Sequence, residues 1–355
     1  MDKYKIDGHK LSYHPGRVAD WQAGKNIYPL YIEVSPTTYC NHRCTFCGLD
    51  FMRDHNKTLK TDVFMDRLTE MGKLGVKSIM YAGEGEPFIH KEMSKIILHT
   101  RASGIDVGIT TNAVHLKPSI TEEILSSVDW IKVSFNAGTA KTYAQIHKGR
   151  PADYDLVVAN IGHAAMYKKR HGLKCALGFQ TLLLPENKDE IVGLAKLCRD
   201  IGLDYLVVKP YSQHPQSFTK MYEGVTYREH MHLEKELEAL NTKDFSVVFR
   251  MNAMQKWDSG QRGYNRCTAL PFWSYIDAAG NVWGCSVYLN DQRFDYGNIF
   301  EDTFENIWNS EKRKKSLDFV HNELDVSQCR LNCRMDKVNT YLWELKNSVD
   351  HVNFI

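Results

Sequence analysis

The chain has 355 residues, of which 43% are hydrophobic and 25% charged, and its formal net charge is +2. These values are ordinary for a globular protein and exclude the strongly basic surface of a nucleic-acid binder. No window approaches the roughly 18 consecutive apolar residues of a membrane span, and the first residues lack an apolar signal core. We therefore expect a cytoplasmic protein that binds neither nucleic acid nor a membrane.

Short apolar segments alternate with amphipathic helical segments over the first 210 or so residues. We predict strands at 30–34, 78–82, 106–110, 130–135, 175–183 and 205–209. We predict helices at 61–74, 91–103, 119–126, 140–147, 154–171 and 188–202. This alternation indicates a parallel sheet covered by helices, either a partial barrel or an open sheet. Ligands bind such sheets at the carboxyl ends of the strands.

The pattern changes after residue 211. There we predict a helix at 226–240, a strand at 245–251, a hairpin of strands at 274–277 and 282–287, and a final helix at 334–347. Gly280 supplies the turn of the hairpin. We divide the chain into an N-terminal extension (1–27), a β/α domain (28–220), a connecting segment (221–265) and a C-terminal domain (266–355).

Nine cysteines are the unusual feature of the composition. Seven of them form two separate sets, in a chain without an export signal. Clustered thiols in a reducing compartment bind metals more often than one another. The first set is Cys40, Cys44 and Cys47, and the second is Cys267, Cys285, Cys329 and Cys333.

The first set lies in the loop after the first predicted strand. Three thiolates on one loop can hold three irons of a [4Fe–4S] cluster and leave the fourth iron without a protein ligand. A zinc site would need four ligands, and no nearby histidine or cysteine completes a plausible set. The spacing of Cys40, Cys44 and Cys47, with Phe46 before the last cysteine, resembles the signature of the radical S-adenosylmethionine (SAM) superfamily.

This resemblance implies a partial (β/α)6 barrel in which the open iron binds the amino and carboxylate groups of SAM. Reduction of the cluster then cleaves SAM to methionine and a 5′-deoxyadenosyl radical, which abstracts a hydrogen atom from a small-molecule substrate. Phe46 would lie near the adenine. The resemblance also implies an electron donor such as flavodoxin or ferredoxin.

A second motif, Tyr81-Ala-Gly-Glu84-Gly85-Glu86-Pro87, follows the second strand and resembles the glycine–glutamate motif of the superfamily. It implies that Gly85 and Glu86 hold the SAM ammonium group, while Glu84 replaces the first of two usual glycines. Resemblance and position at later strand ends add further SAM-facing candidates, which are Asn112, Ser134, Asn136, Gln180 and Lys209. The alternative for Asn136, and for Thr111 beside Asn112, is a turn-forming or capping role.

Lys209 leaves the sixth strand at its ligand-facing end. We expect it to bind the SAM carboxylate or a substrate anion, with a snorkelling lysine as the alternative. Tyr211, Ser212 and Gln213 follow it and offer hydrogen bonds to a polar substrate.

The second cysteine set resembles the reduced SPASM domain known as twitch, in which four cysteines bind one auxiliary [4Fe–4S] cluster. A structural Zn(Cys)4 site is the alternative for the same residues. Together the two sets predict SAM and two [4Fe–4S] clusters as cofactors.

Members of this subfamily include carbohydrate and aminocyclitol dehydrogenases and epimerases. We therefore expect dehydrogenation or epimerisation of a carbohydrate, cyclitol or sugar-containing natural product. Radical modification of a ribosomal peptide is the alternative. We rank it second because 39 residues precede Cys40, too few for a peptide-recognition domain. A non-catalytic iron–sulfur or zinc scaffold is the third. Cys175 and Cys198 remain as hydrogen-atom donors or, alternatively, as buried core residues.

Overall fold

Ten strands form the centre of the molecule in the computed structural model, which describes residues 3–52 and 56–354. They are β1 (Tyr31–Val34), β2 (Ser78–Tyr81), β3 (Asp106–Thr111), β4 (Trp130–Ser134), β5 (Ala176–Leu182), β6 (Tyr205–Lys209), β7 (Ser246–Phe249), β8 (Trp273–Ile276), β9 (Asn281–Trp283) and β10 (Asp295–Asn298). One sheet contains them all, in the order β10-β9-β8-β1-β2-β3-β4-β5-β6-β7.

Helices follow most strands, and those between β1 and β7 cover one face of this sheet. They are α1 (Pro15–Gln22), α2 (Thr61–Lys73), α3 (Met93–Ala102), α4 (Pro118–Ile124), α5 (Ala140–His147), α6 (Ala152–His171), α7 (Ile191–Asp200), α8 (Leu233–Glu238), α9 (Met251–Ser259), α10 (Phe304–Asn309), α11 (Glu311–Asn322) and α12 (Asp336–Lys346). None of the helices in the described part of the chain is long and apolar enough to cross a membrane.

The parallel β/α architecture and the six predicted strands are confirmed, and the sheet extends further on both sides. β7, expected in the connecting segment, pairs parallel with β6 as a seventh strand. On the opposite side β8 pairs parallel with β1, so the predicted hairpin of β8 and β9 continues the same sheet. The predicted helix at 226–240 is reduced to α8, preceded by a single 3-10 turn.

Alternation along the parallel strands separates two faces of the sheet. Residues such as Ile32, Ile131 and Leu206 pack with the helices in the main hydrophobic core. Their sequence neighbours therefore point to the opposite, concave face. That face carries, in strand order, Glu33, Met80, Thr110, Lys132, Gln180 and Lys209.

Aromatic and aliphatic side chains close the concave face near the amino ends of the strands. Tyr4 and Ile6 of the N-terminal segment pack there, and Tyr4 contacts Tyr205 edge-on with 5.7 Å between ring centres. The other members of this floor are Trp130, Ala176, Val207 and Val248. Gly108 and Gly178 make room for it, because a β-carbon on either would collide with the ring of Trp130 or Tyr205.

Candidate functional site

The first cysteine loop follows β1 and is fastened to the end of α5. The backbone N–H of Arg43 donates to the carbonyl of His147 over 3.1 Å, and that of Thr45 donates to Ile146 over 2.9 Å. Cys40, Cys44 and Cys47 are all half-buried on this loop.

The three thiols of this loop are suited to a cationic metal centre. Burial and then neighbouring anionic groups, Cys47 among them, raise the pKa of Cys40 to about 11. Burial, Cys47 and Cys40 also raise the pKa of Cys44 well above its ordinary value. Three adjacent thiolates therefore need bound positive charge, which an iron–sulfur cluster supplies. The donor set fits the predicted cluster.

Gly85 lets the second motif pack directly against the cysteine loop. The backbone N–H of Glu86 donates to the carbonyl of Tyr39 over 2.8 Å, immediately before Cys40. A β-carbon on Gly85 would collide with that carbonyl and lie 2.6 Å from the carbonyl oxygen of Thr37. Only glycine allows this backbone contact.

The carboxylate of Glu86 joins the second motif to the end of β3. It accepts hydrogen bonds from the Thr111 hydroxyl at 2.5 Å, the Asn112 backbone N–H at 2.7 Å and the Phe88 backbone N–H at 3.2 Å. A carboxylate has about four acceptor positions, so one remains for a ligand. Burial raises the pKa of Glu86 to about 7. Its predicted contact with the SAM ammonium stays a prediction.

Glu84 connects the same motif to the hairpin of β8 and β9. The Tyr275 hydroxyl donates to its carboxylate over 3.4 Å, and its own backbone N–H donates to the Ser35 hydroxyl over 3.2 Å. Burial, and secondarily Asp277, raises the pKa of Glu84 to about 8. These contacts join the barrel to the C-terminal strands.

Among the predicted SAM-facing side chains, the two asparagines are engaged within the protein. The Asn112 amide donates to Asn41 of the cysteine loop over 2.8 Å, and the Asn136 amide oxygen accepts from the Leu182 backbone N–H over 2.6 Å. Both contacts fit a structural role, which is the alternative stated for Asn136. Phe46 packs edge-on against His147 with 5.6 Å between ring centres.

Ser134, Gln180 and Lys209 present a different environment. All three are half-buried on the concave face, and Ser134 lies beside Gln180 in the register of β4 and β5. None of their side chains forms a hydrogen bond or ion pair with another residue in the described ranges. These groups are available to a ligand.

The predicted substrate residues after β6 bind other protein groups. The Tyr211 hydroxyl donates to Gln213 over 2.7 Å, and the Gln213 amide donates to the carbonyl of Thr219 over 2.9 Å. Ser212 accepts from the Arg330 guanidinium through its hydroxyl and its carbonyl. Contact of these three with a substrate stays a prediction.

The two remaining cysteines lie in the hydrophobic core. Cys198 on α7 is 0% exposed and Cys175 is 2% exposed, and both pack between the sheet and its helices. Burial raises the pKa of Cys175 to about 12. This environment fits the core alternative, and the geometry gives no support to hydrogen-atom donation.

The second cysteine set converges at the end of the extended sheet. Cys267 precedes β8, Cys285 follows β9, and Cys329 and Cys333 precede α12. Burial, and then Cys333 and Cys267, raise the pKa of Cys285 well above its ordinary value, as expected when thiols face one another. The four cysteines therefore form one site.

The donor set of the second site is four thiols. In the described ranges, the trio of His, Cys, Asp or Glu ligand atoms within 4.8 Å of one another is His42, Cys44 and His147, and the second set contributes no such trio. Four thiolates can bind a [4Fe–4S] cluster or a zinc ion, so this donor set fits the predicted auxiliary cluster.

Residues that the sequence analysis did not select complete the concave face. Lys132 lies between Ile131 and Val133, and this alternation is the signal that could have identified it. Arg334 pairs with Glu33 at 2.6 Å, and Arg250 pairs with Asp7 at 2.7 Å. Arg330 and His147 are also functional candidates, and no local motif marks them.

Comparison with known proteins follows the same division of the chain. Residues 34–198 match the radical SAM superfamily, and residues 267–334 match the iron–sulfur cluster-binding domain SPASM. The tungsten-containing aldehyde ferredoxin oxidoreductase cofactor-modifying protein of Pyrococcus furiosus is 26% identical over 186 residues, which are 50% of each chain. A GTP 3′,8-cyclase of Listeria monocytogenes is 30% identical over 203 residues, which are 54% of this chain and 58% of that protein. The match thus spans little more than half the length of these relatives.

Solved structures show the same fold. Streptococcus suis SuiB bound to SAM has a TM-score of 0.65 at 20% identity and covers 85% of this chain and 70% of its own. The SAM-bound anSMEcpe has a TM-score of 0.59 at 15% identity, over 90% of this chain and 95% of its own. With both cysteine sets in place, the chain contains a region of the radical SAM superfamily, residues 34–198, followed by a SPASM iron–sulfur cluster-binding region, residues 267–334. SAM and [4Fe–4S] clusters are its cofactors.

Proposed function

We propose that the chain is a radical SAM oxidoreductase that removes a hydrogen atom and then an electron from a small polar substrate on the concave face. When bound, SAM and the first cluster supply the radical that abstracts the hydrogen atom. The substrate then loses one electron to the auxiliary cluster and one proton to water or a basic group. The result is a two-electron oxidation, which is the dehydrogenase half of the sequence-based expectation.

The distribution of the nine cysteines carries this proposal. Seven belong to the two metal sites, and Cys175 and Cys198 are buried in the core. Epimerisation by the thiol route needs a cysteine that returns a hydrogen atom to the substrate. Neither spare cysteine faces the concave side, so oxidation is favoured over epimerisation.

Peptide modification is the second candidate function. It is favoured by SuiB, which was also solved with its precursor peptide SuiA and has a TM-score of 0.64 to this chain. We favour a small substrate, with a carbohydrate or cyclitol as the class to test first, because the concave face is closed by its aromatic floor. A flavodoxin or ferredoxin as electron donor and a cytoplasmic location complete the proposal.

The test uses the anaerobically reconstituted enzyme with SAM and a reductant. We expect 5′-deoxyadenosine from the wild type and none from Cys44→Ala. Cys285→Ala should still form 5′-deoxyadenosine, because the first cysteine loop is intact, but it should lose the oxidised product. The core variant Cys198→Val is the matched control and should keep both products.

Two outcomes would contradict this proposal. An epimerised product with solvent deuterium at the reacting carbon would replace oxidation by epimerisation. Absence of 5′-deoxyadenosine from a fully loaded wild type would leave only the iron–sulfur scaffold. Turnover of a precursor peptide in place of sugars and cyclitols would establish the second candidate.

A further inference from the structure

Three cations without a carboxylate partner in the described part of the chain, together called the cationic column, lie on or beside the concave face. Lys132 on β4 lies above the floor, with its ammonium 5.1 Å from the centre of the Trp130 ring. Lys209 ends β6, in register with Leu182 of β5. Arg330, between two cysteines of the second set, approaches the first cysteine loop, since a β-carbon on Gly48 would lie 3.9 Å from its guanidinium nitrogens.

The acidic side chains nearby do not neutralise this column. Glu33 pairs with Arg334, and Asp7 pairs with Arg250. Lys132, Lys209 and Arg330 form no ion pair with any carboxylate in the described part of the chain. Lys132 and Lys209 share the concave face, and Arg330 donates to Ser212, three residues after Lys209. Burial lowers the pKa of Lys209 well below its ordinary value, and Lys132 and Arg330 lower it further. Cations without a counter-charge repel each other and are stabilised by an anion.

Lys132, Lys209 and Arg330 are all half-buried, so each keeps part of its surface accessible to a ligand. Arg334, which pairs with Glu33 of the concave face, keeps 40% of its side chain accessible.

The depth of Lys132 separates it from the bound cofactors. It precedes Ser134, the last residue of β4, by two residues, which is about 7 Å of strand. The cysteine loops lie beyond the carboxyl ends of the strands, so Lys132 is on the floor side of the cavity. Charge compensation of the clusters would not require a cation at that depth.

We propose that Lys132, Lys209 and Arg330 hold an oxyanion of the substrate, a carboxylate or a phosphate group, inside the barrel. The guanidinium of Arg330 offers two nitrogens to such a group, and the lysines offer point charges. Because the oxyanion is held between the floor and the first cysteine loop, the rest of the substrate is directed toward SAM. This inference rests on the proposed function and specifies its substrate class.

Isothermal titration of the reconstituted enzyme, before SAM is added, tests the proposal using three probes of similar shape. They are phenyl phosphate, benzoate and benzyl alcohol. We expect one of the two anions to bind at least about tenfold more tightly than the neutral alcohol, and the preferred anion identifies phosphate or carboxylate. Lys132→Met and Lys209→Met should each weaken that anion about tenfold, whereas Lys169→Met on the exposed side of α6 should not change it.

Thermal unfolding of the same variants distinguishes a ligand site from a structural one. Methionine retains most of the packing volume and removes a repelling charge, so Lys132→Met should be as stable as the wild type or more stable. A marked loss of stability in both lysine variants, with unchanged anion binding, would assign the cations to the fold.

Anion binding equal to that of benzyl alcohol would overturn the proposal. It would assign the column to charge compensation for the clusters. The proposed function is tested separately. SAM and a reductant are added to the same enzyme preparations without substrate, and 5′-deoxyadenosine is measured. If the anions fail to bind while SAM is cleaved normally, only the oxyanion site is rejected, whereas absence of SAM cleavage rejects the proposed function on which it rests.

Discussion

His147 donates a hydrogen bond to Cys44, one of the three thiols expected to bind the first cluster. The backbone N–H of Asn136 points at His147 Nε2 over 3.1 Å, so that nitrogen is an acceptor and carries no proton. The proton of the neutral ring is therefore on Nδ1, which lies 3.4 Å from the sulfur of Cys44. Burial, and then His42, lower the pKa of His147 far below its ordinary value, which agrees with a neutral ring. An N–H directed at a cluster thiolate is one way in which a protein sets a reduction potential.

Replacing His147 should make the first cluster harder to reduce. The hydrogen bond stabilises the more negative, reduced cluster, so His147→Phe should lower the midpoint potential, on the order of tens of millivolts. The measurement is a redox titration followed by electron paramagnetic resonance, in a Cys285→Ala background that lacks the auxiliary cluster. Tyr143→Phe is the control, because its ring stacks on His147 while its hydroxyl has no hydrogen-bond partner among the residues that the structure describes. Equal potentials for His147→Phe and the wild type would exclude the hydrogen bond as a determinant.

Lys132 should make anion binding depend on pH. Burial, and then Arg334 and Arg250, lower its pKa to about 7, against a smaller opposing effect of Glu33. The side chain is a cation below that pH and neutral above it, so benzoate, which is ionised throughout, should bind up to about tenfold more weakly at pH 8 than at pH 6. The charged groups that face Lys132 are Glu33, Lys209, Arg250 and Arg334. Titration of Lys132→Met should give a flat profile, and a slope equal to that of the wild type would assign the titration elsewhere.

At the scale of single elements, the loop after β2 depends on a backbone contact that only glycine permits. Gly85→Ala places a methyl group against the carbonyls of Thr37 and Tyr39, so the cysteine loop must move. We expect the variant to lose most SAM binding and much of the iron of the first cluster, as measured by equilibrium dialysis and iron analysis. Gly193→Ala is the matched control: it lies exposed on α7 with no atom near the added carbon, and it should stabilise the protein by up to about 1 kcal/mol. Normal SAM binding by Gly85→Ala would show that the loop tolerates the shift.

The elements differ in how far the sequence could predict them. Strands β1 to β6 and the first cysteine loop carry local signals, because alternation and cysteine spacing are set within a few residues. The pairing of β8 with β1 brings together residues more than 200 positions apart, and no local pattern encodes it. The sequence analysis selected Lys209 but not its grouping with Lys132 and Arg330, because these residues come from three elements and come together only in the folded chain.

For the whole molecule, the prediction concerns metal content. Anaerobic reconstitution should load about eight irons per chain, four at each cysteine set, and Cys285→Ala should load about four. Cys198→Val should keep the full iron content, because that residue lies in the core. About four irons together with one zinc in the wild type would show that the second set forms a zinc site.

The aromatic floor, with Tyr4, Tyr205 and their neighbours, closes the amino end of the barrel. Every ligand must therefore enter at the carboxyl end, where the cysteine loops lie. A molecule that rests at the depth of Lys132 must therefore enter before the molecule above it and leave after it. We expect an ordered cycle in which the substrate binds first and SAM then covers it. The closed floor, far from any reacting atom, would thus determine the order in which ligands bind and leave at the carboxyl end.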